Sequence, residues 1–265
     1  MYTMGIDIGS ASSKAVILKD GEEVVAKLVV SLGTGTTGSE QVYNAVLEEA
    51  GISQKDLAYT VVTGYGRMKF PYADTQVSEL SCHAVGIHYL LPAARTVIDI
   101  GGQDAKALQV SSSGRLMNFV MNDKCAAGTG RFLEVMSRVL DIPITEMGAI
   151  SARSTQEVSI SSTCTVFAES EVISQLSNNE KIEDIVAGIH RSVAKRVAGM
   201  ALRIGCEPEV AMSGGVALNS GIVSAMEKEL GTSIMVHPDC QLAGAFGAAL
   251  LAWEKISEKE RKVHE

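Results

Sequence analysis

The sequence predicts an α/β chain of two duplicated lobes with a cleft between them. The first observation is an internal repeat. Ile98-Asp-Ile-Gly101 restates Ile6-Asp-Ile-Gly9, and Lys106 stands seven residues after Asp99, as Lys14 stands seven after Asp7. The second is that each match opens the same succession of strand, turn, strand, turn, strand. Asp20-Gly21 is the hairpin turn in one copy and Ser111-Ser-Ser-Gly114 in the other. Repetition of both spacing and turn chemistry marks a duplicated supersecondary unit. The third is the alternation of short apolar runs with stretches of helical period, the pattern of strands covered by helices. The lobes divide at residues 1–94 and 95–265.

In the first lobe, 2–9 reads as a buried strand running into a Gly-Ser turn, 14–18 as a second strand and 23–30 as a third. Leu32-Gly-Thr-Gly-Thr-Thr-Gly38 is a glycine- and threonine-rich loop. Residues 40–50 form a helix ended by Gly51, 58–63 a strand, Gly64-Tyr-Gly-Arg67 a loop, and 78–90 a helix with Pro92 behind it. In the second lobe the strand from Ile98 is followed by the partner strand carrying Lys106, and 116–121 is the third. A helix over 131–140 carries Phe132, Leu133, Val135, Met136, Val139 and Leu140 at helical spacing. A short segment follows at 143–150, then an expected strand at 158–161. A helix over 165–176 carries Val166, Phe167, Val172, Ile173 and Leu176. The long run 182–204 places Ile185, Ile189, Val193, Val197 and Met200 on one helical face. Residues 209–213 read as a strand ending in Gly214-Gly215, 217–230 as a helix, 233–236 as a strand, and 241–253 as a small-residue helix. The charged tail after Glu254 is expected to fray.

Composition narrows the function classes. The 265 residues are 46% hydrophobic and 20% charged, ordinary for a soluble globular chain, with a net charge of −8 that offers nothing to nucleic acid or an anionic membrane. No apolar run approaches the roughly eighteen residues of a membrane span, and the first residues read as a strand rather than a signal peptide, so the cytoplasm is expected. The five cysteines, at 82, 125, 164, 206 and 240, are odd in number and include no Cys-x-x-Cys pair. That is no disulfide framework, and it suits a reducing compartment.

The repeated motif carries chemistry. Asp7-Ile-Gly-Ser-Ala-Ser-Ser-Lys14 puts an acid at a strand end, a glycine in a tight turn, then hydroxyls and a lysine. Turn N–H groups and hydroxyls hold phosphate, and Lys14 adds a charge. Asp99-Ile-Gly-Gly-Gln-Asp104 offers the same from the second copy. Together the loops suit a polyphosphate, with Asp7 and Asp99 holding Mg²⁺ through waters. Gly9, Ser10, Ser12, Ser13, Lys14, Gly101, Gly102 and Gln103 are the candidate phosphate contacts, and Gln103 is also a candidate to orient an attacking water. Two ordinary hairpin turns would also want their glycines, but not in duplicated register.

Two cysteines stand at similar places. Cys125 comes just before a Gly-Thr-Gly turn and an expected helix, and Cys164 follows the polar N-cap candidates Ser161, Ser162 and Thr163. Helix N-termini favour thiolates and bound anions. The pair is either half of a metal site or two small residues filling gaps at helix ends. Cys82, Cys206 and Cys240 read as structural. His83, His88, His190 and His237 have no shared-ligand spacing, so packing or surface roles are expected. Glu169 and Glu171 suit a solvated helix start, or negative charge near a metal centre.

The set Asp7-Ile-Gly-Ser, Asp99-Ile-Gly-Gly-Gln, Ala127-Gly-Thr-Gly and Ser213-Gly-Gly-Val resembles the two phosphate loops, connecting segment and adenosine loop of the acetate kinase, sugar kinase, Hsp70 and actin superfamily. Asn122-Asp-Lys-Cys-Ala-Ala-Gly-Thr-Gly-Arg-Phe and Ser161-Ser-Thr-Cys-Thr-Val-Phe-Ala-Glu-Ser-Glu resemble, more narrowly, the activators of 2-hydroxyacyl-CoA dehydratases, which group with the ATPase subunits of benzoyl-CoA reductases. The resemblance runs from about Met4 to Ala252. It implies two ribonuclease H-like, actin-like lobes with a nucleotide cleft, the second lobe carrying the cluster-binding helices. It implies a homodimer with one 4Fe–4S cluster on its axis, Cys125 and Cys164 from each chain being the ligands. Gly128, Thr129, Gly130, Gly214, Gly215, Val216 and Gln241 are implied to meet the nucleotide, ATP or ADP with Mg²⁺. The implied activity is ATP hydrolysis coupled to low-potential electron transfer under anaerobic conditions. Electrons would come from flavodoxin or ferredoxin and pass to the heterodimeric iron–sulfur component of a dehydratase. An electron-activating subunit of a benzoyl-CoA-type reductase is the alternative. A small-molecule kinase of the same fold would need a substrate lobe and a general-base aspartate, and a nucleotide sensor would bind ATP without using it.

Overall fold

The computed structural model describes residues 1–156, 158–161 and 164–264. Two compact units result, each around its own five-stranded sheet. In the first, β1 (Tyr2–Ile8), β2 (Ser13–Lys19) and β3 (Glu23–Val30) form an antiparallel meander, and β1 pairs in parallel with β4 (Leu57–Thr63), which pairs with β5 (Thr75–Gln76). In the second, β6 (Thr96–Ile100), β7 (Ala105–Val110) and β8 (Leu116–Asn122) repeat the meander, and β6 runs parallel to β9 (Val210–Ser213) beside β10 (Ile234–Val236). The orders β3-β2-β1-β4-β5 and β8-β7-β6-β9-β10 are the same order. The duplication in the sequence is therefore a duplication of topology, and each lobe is α/β.

Both faces of β1, β6 and β9 are buried, as is β4 from Thr60 onward, so these strands are largely apolar. In the first unit α1 (Gly38–Ala50), ended by the left-handed Gly51, covers one face, while α2 (Glu79–Leu90) and α8 (Ala243–His264) lie against the other. Ser78 caps α2, its hydroxyl accepting from the Ser81 N–H. In the second unit the core is sealed by α3 (Gly130–Leu140), α4 (Met147–Ser151), α5 (Thr165–Ser177), α6 (Ile182–Arg203) and α7 (Ser220–Leu230).

Four expectations change. The last helix, assigned by sequence to the second lobe, belongs to the compact unit of the first. Its small residues explain this: a Cβ on Gly247 would lie 1.8 Å from the Cys82 carbonyl oxygen in α2, and one on Gly5 of β1 would lie 2.1 Å from that of Ala245. The charged tail does not fray but continues α8, with Lys259 over the Tyr59 ring at 4.7 Å. Residues 158–161 are not a strand, because they pair with α6 rather than with a sheet. The helix expected at 217 begins at Ser220 after a 3₁₀ turn over Gly215–Leu218, where Asn219 caps it by accepting from the Gly221 and Ile222 N–H groups. Among the described residues no helix is long and apolar enough to cross a membrane.

The lone His190 is a packing residue of α6. Its Nδ1 lies 3.0 Å from the Ser151 hydroxyl, its Nε2 3.4 Å from the Asn219 amide, and a Cβ on Gly221 would come within 2.4 Å of it. Burial pushes its pKa down to about 4. The unfolded chain takes up a proton near the ordinary value of 6.5 while the folded chain resists, so the contribution of neutral His190 is complete above 6.5. It is lost as pH falls from there towards 4. Urea unfolding at stepped pH is expected to show about 3 kcal/mol of acid destabilisation across this window, a loss that His190→Gln flattens.

Candidate nucleotide and thiol site

Each unit presents the same turn at the end of its central strand. The Gly9 N–H donates to the Ser12 carbonyl at 3.0 Å, and the Gly101 N–H to the Asp104 carbonyl at 2.9 Å. Behind each turn sits the strand-end carboxylate, paired across the hairpin with its lysine: Asp7 faces Lys14 in register and Asp99 faces Lys106. The Nζ–Oδ2 distances are 3.3 and 3.0 Å.

A second glycine completes each copy. Gly64 after β4 and Gly214 after β9 both have positive φ, 85° and 83°. A Cβ on Gly64 would lie 2.4 Å from Asp7 Oδ1, and one on Gly214 2.3 Å from the Ile100 carbonyl and 3.0 Å from Asp99 Oδ1. No side chain fits between these loops and the carboxylates. The sequence reading assigned Gly214 to the site but left Gly64 in an ordinary loop; the signal was its place after β4, as Gly214 follows β9. A third correspondence was also missed. The Thr34 N–H donates to the Gly9 carbonyl and the Gly130 N–H to the Gly101 carbonyl, both at 2.9 Å, so the two Gly-Thr-Gly loops, 33–35 and 128–130, back the two turns alike.

The copies differ at the carboxylates. The Ser213 hydroxyl donates to Asp99 Oδ1 at 2.8 Å, whereas Thr63, its counterpart, donates to the Val77 carbonyl. Lys106 is 1% exposed and pairs with Asp104 as well as Asp99; Lys14 is 13% exposed. Asp7 Oδ1 is left buried without a hydrogen-bond partner among the described residues. A buried orphan carboxylate oxygen is costly unless a ligand completes it. It fits a hydrated cation, and Gly244 near the start of α8 packs so close to the same carboxylate that a Cβ there would lie 2.9 Å from Oδ2. Gln103 is exposed, Ser10 and Gly102 are half-buried, and Ser13 is buried, its hydroxyl donating to the Leu32 carbonyl. Gly215 and Val216 lie in the 3₁₀ turn after Gly214, and Gln241 in the 3₁₀ turn before α8.

The thiols belong to the second unit. Cys164 stands at the start of α5 as expected, but it is itself the N-cap, in extended conformation, rather than a residue following a Ser or Thr cap; of those candidates Ser162 and Thr163 lie outside the described residues. Cys125 is not at a helix end. It precedes Thr129, the N-cap of α3, by four residues, because the positive-φ Gly128 turns the chain first. Asn122, the last residue of β8, donates its amide to the Cys125 carbonyl at 2.8 Å and fixes this loop, a role the sequence reading did not assign. Cys125 and Cys164 are half-buried free thiols. Cys82 is buried and its thiol is pushed up to about 12, mainly by burial, and Cys240 is also buried. The donor chemistry thus fits thiolate ligation at Cys125 and Cys164 and disfavours Cys82. Among the described residues no group of three or more His, Cys, Asp or Glu side chains gathers as a metal site. The apolar run of α5 buries Ala168 and Val172 but leaves Val166, Phe167 and Ile173 at 66%, 65% and 51% exposure. Glu171 is not merely solvated: it accepts the Ser161 N–H.

Residues 4–252 match the family model described as the BadF/BadG/BcrA/BcrD ATPase family. The chain is 59% identical, over 99% of both lengths, to the 2-hydroxyisocaproyl-CoA dehydratase activator of Clostridioides difficile. It is 54% identical, over 97% of this chain and 99% of the other, to the (R)-2-hydroxyglutaryl-CoA dehydratase activating ATPase of Acidaminococcus fermentans. The solved structure of the Clostridium difficile activator of the 2-hydroxyisocaproyl-CoA dehydratase with bound ADPNP superposes with a TM-score of 0.95 at 58% identity, covering 99% of this chain and 98% of the other.

Thiol accessibility is directly measurable. Brief alkylation of the folded, metal-free chain followed by peptide mass spectrometry should label Cys125 and Cys164 and leave Cys82 and Cys240 until denaturant is added. Early labelling of Cys82 would contradict its burial.

Proposed function

Because the chain belongs to the BadF/BadG/BcrA/BcrD ATPase family, we propose that it is an ATP-driven one-electron donor that activates a 2-hydroxyacyl-CoA dehydratase. One observation carries the coupling in this reading. The Gly130 and Arg131 N–H groups donate to the carbonyls of Gly101 and Gly102, at 2.9 and 2.8 Å. The candidate phosphate loop and the segment that follows Cys125 are thereby one hydrogen-bonded piece.

Asp7 holds Mg²⁺ through water with its free Oδ1, and Asp99 does so from the second copy. Lys14, the hydroxyls of Ser10 and Ser12, and the turns at Gly9, Gly101 and Gly102 hold the phosphates; the Ser13 hydroxyl, buried and bonded to the Leu32 carbonyl, braces the loop instead. Gln103, exposed at the tip of its turn, orients the water that attacks the γ-phosphate. Gly128, Thr129, Gly130, Gly214, Gly215, Val216 and Gln241 approach the rest of the nucleotide. Cys125 and Cys164 from two copies supply four thiolates, the number a cubane cluster takes. When bound, a 4Fe–4S cluster supplies a one-electron carrier. The exposed apolar side chains of α5 support a homodimer built around these thiols. The electron arrives from a reduced flavodoxin or ferredoxin in the cytoplasm and leaves to the dehydratase's iron–sulfur component.

Anaerobically purified protein should contain about four iron atoms per dimer and hydrolyse ATP. Cys125→Ser and Cys164→Ser are expected each to abolish the cluster, while Cys82→Ser and Cys206→Ser retain it. Full iron content in either of the first two ends the ligand assignment, and iron-free wild type with intact ATP binding points to a kinase or sensor. Asp7→Asn should cut ATP turnover on the order of a hundredfold with little loss of fold. Wild-type turnover there would make the first loop structural only.

A further inference from the structure

One face of α6 meets both thiol-bearing segments. Asp184, Gly188, Ser192 and Arg196 follow at intervals of four and so lie in one row along the helix. At the first position, Asp184 Oδ1 accepts from the Thr155 and Gln156 N–H groups at 2.9 and 3.0 Å and lies 2.8 Å from the Ser154 hydroxyl. The Gln156 N–H above all, then the Ser154 hydroxyl and Thr155 N–H, hold its carboxyl below the ordinary carboxylate range against the opposing effect of burial. At the second position the strap passes so close that a Cβ on Gly188 would lie 1.9 Å from the Val158 carbonyl oxygen. At the third, the Ser192 hydroxyl donates to the Ser161 carbonyl at 3.0 Å. At the fourth, Arg196 packs against Gly128, where a Cβ would lie 2.9 Å from the Arg196 Cδ.

The first three contacts register residues 154–156 and 158–161, which precede Cys164 in the chain. The fourth supports the loop between Cys125 and the N-cap of α3. A hydrogen bond alone would tolerate slippage; a carbonyl seated on a glycine with no room for a methyl group does not. We propose that α6 is the template that sets the separation of Cys125 and Cys164, with Asp184, Gly188 and Ser192 as positioning residues for cluster ligation. This rests on the assignment of those thiols as cluster ligands, but the template itself is testable without a cluster.

The test uses the full chain with Cys206→Ser, in which buried Cys82 and Cys240 escape labelling. Spin labels on Cys125 and Cys164 of the metal-free protein report their distance distribution, and hydrogen exchange reports the amides of 158–161. Gly188→Ala should broaden the distribution and speed exchange at least about tenfold. Ser192→Ala, a milder change should Gly188→Ala fail to fold, should speed exchange about fivefold. Asp184→Ala should act like Gly188→Ala, and Asp184→Asn, which keeps an acceptor oxygen, should restore most of the order. In cluster-loaded protein Gly188→Ala should lower iron retention and alter the electron paramagnetic resonance spectrum of the reduced state, with the rate of ATP hydrolysis held within about twofold. An unchanged label distance in Gly188→Ala, or faster exchange with an unaltered spectrum and iron content, overturns the template. Iron-free wild type overturns the ligand assignment instead, and the label distances still decide the template.

Discussion

A carboxylate buried at the end of a central strand is the constraint from which both units follow. Asp7 and Asp99 are each only 3% exposed, and an ion taken out of water costs several kcal/mol unless it is paired and hydrogen-bonded. The pairing is supplied by the neighbouring strand, since the antiparallel register sets Lys14 beside Asp7 and Lys106 beside Asp99. The seven-residue spacing is the length of that hairpin connection. Every loop that crosses the carboxylates must then do so without side chains, which fixes Gly64 and Gly214 and their left-handed backbone. The glycines are a consequence of the buried charge, not an independent motif.

The copies have diverged at one hydroxyl. Ser213 turns to Asp99 and Thr63 turns away to Val77. With Lys106 doubly paired, the second copy is a closed polar network, the kind that rigidifies its surroundings. The first copy keeps one oxygen open. A duplicated fold can in this way divide labour: Asp7 keeps an open oxygen, while the Asp99 carboxylate is held in place by Ser213 and Lys106.

The repeat made strand order and turn positions legible, because topology and register are properties of spacing. The candidate loops were equally legible from their glycines and acids. Other features depended on contacts between residues distant in sequence. The tail of α8 reads as frayed from its charges, yet the Tyr59 ring beneath Lys259 belongs to β4. The helical period of α5 suggested a buried face, but Val166, Phe167 and Ile173 are left exposed among the described residues, and periodicity cannot say whether a partner or the same chain covers such a face. Residues 158–161 alternate as a strand would. What distinguishes a strand from a strap is whether the backbone finds a ladder or a helix, and Gly188 decided that from thirty residues away.

Coupling between phosphate and thiol needs stiffness more than distance. Within the second unit the 101–102 turn is bonded to the start of α3, Gly128 just before it rests on Arg196, and the same helix face continues to Ser192, Gly188 and Asp184 under the strap. The joins are backbone hydrogen bonds at the turn, close contacts at Gly128 and Gly188, and side-chain hydrogen bonds from Ser192 and to Asp184, and at Gly188 displacement has little slack. Packed helices move as units, so a shift of the turn is passed on rather than absorbed by side-chain rearrangement. If nucleotide state biases the turn, the thiols feel it through α6. Linkage then requires the reverse: whatever the thiols bind must alter nucleotide affinity by the same factor. A soft connection would lose this reciprocity to local adjustment. On the proposed template the row on α6 therefore does more than stabilise the fold, since it removes the freedom through which the two sites would otherwise become independent.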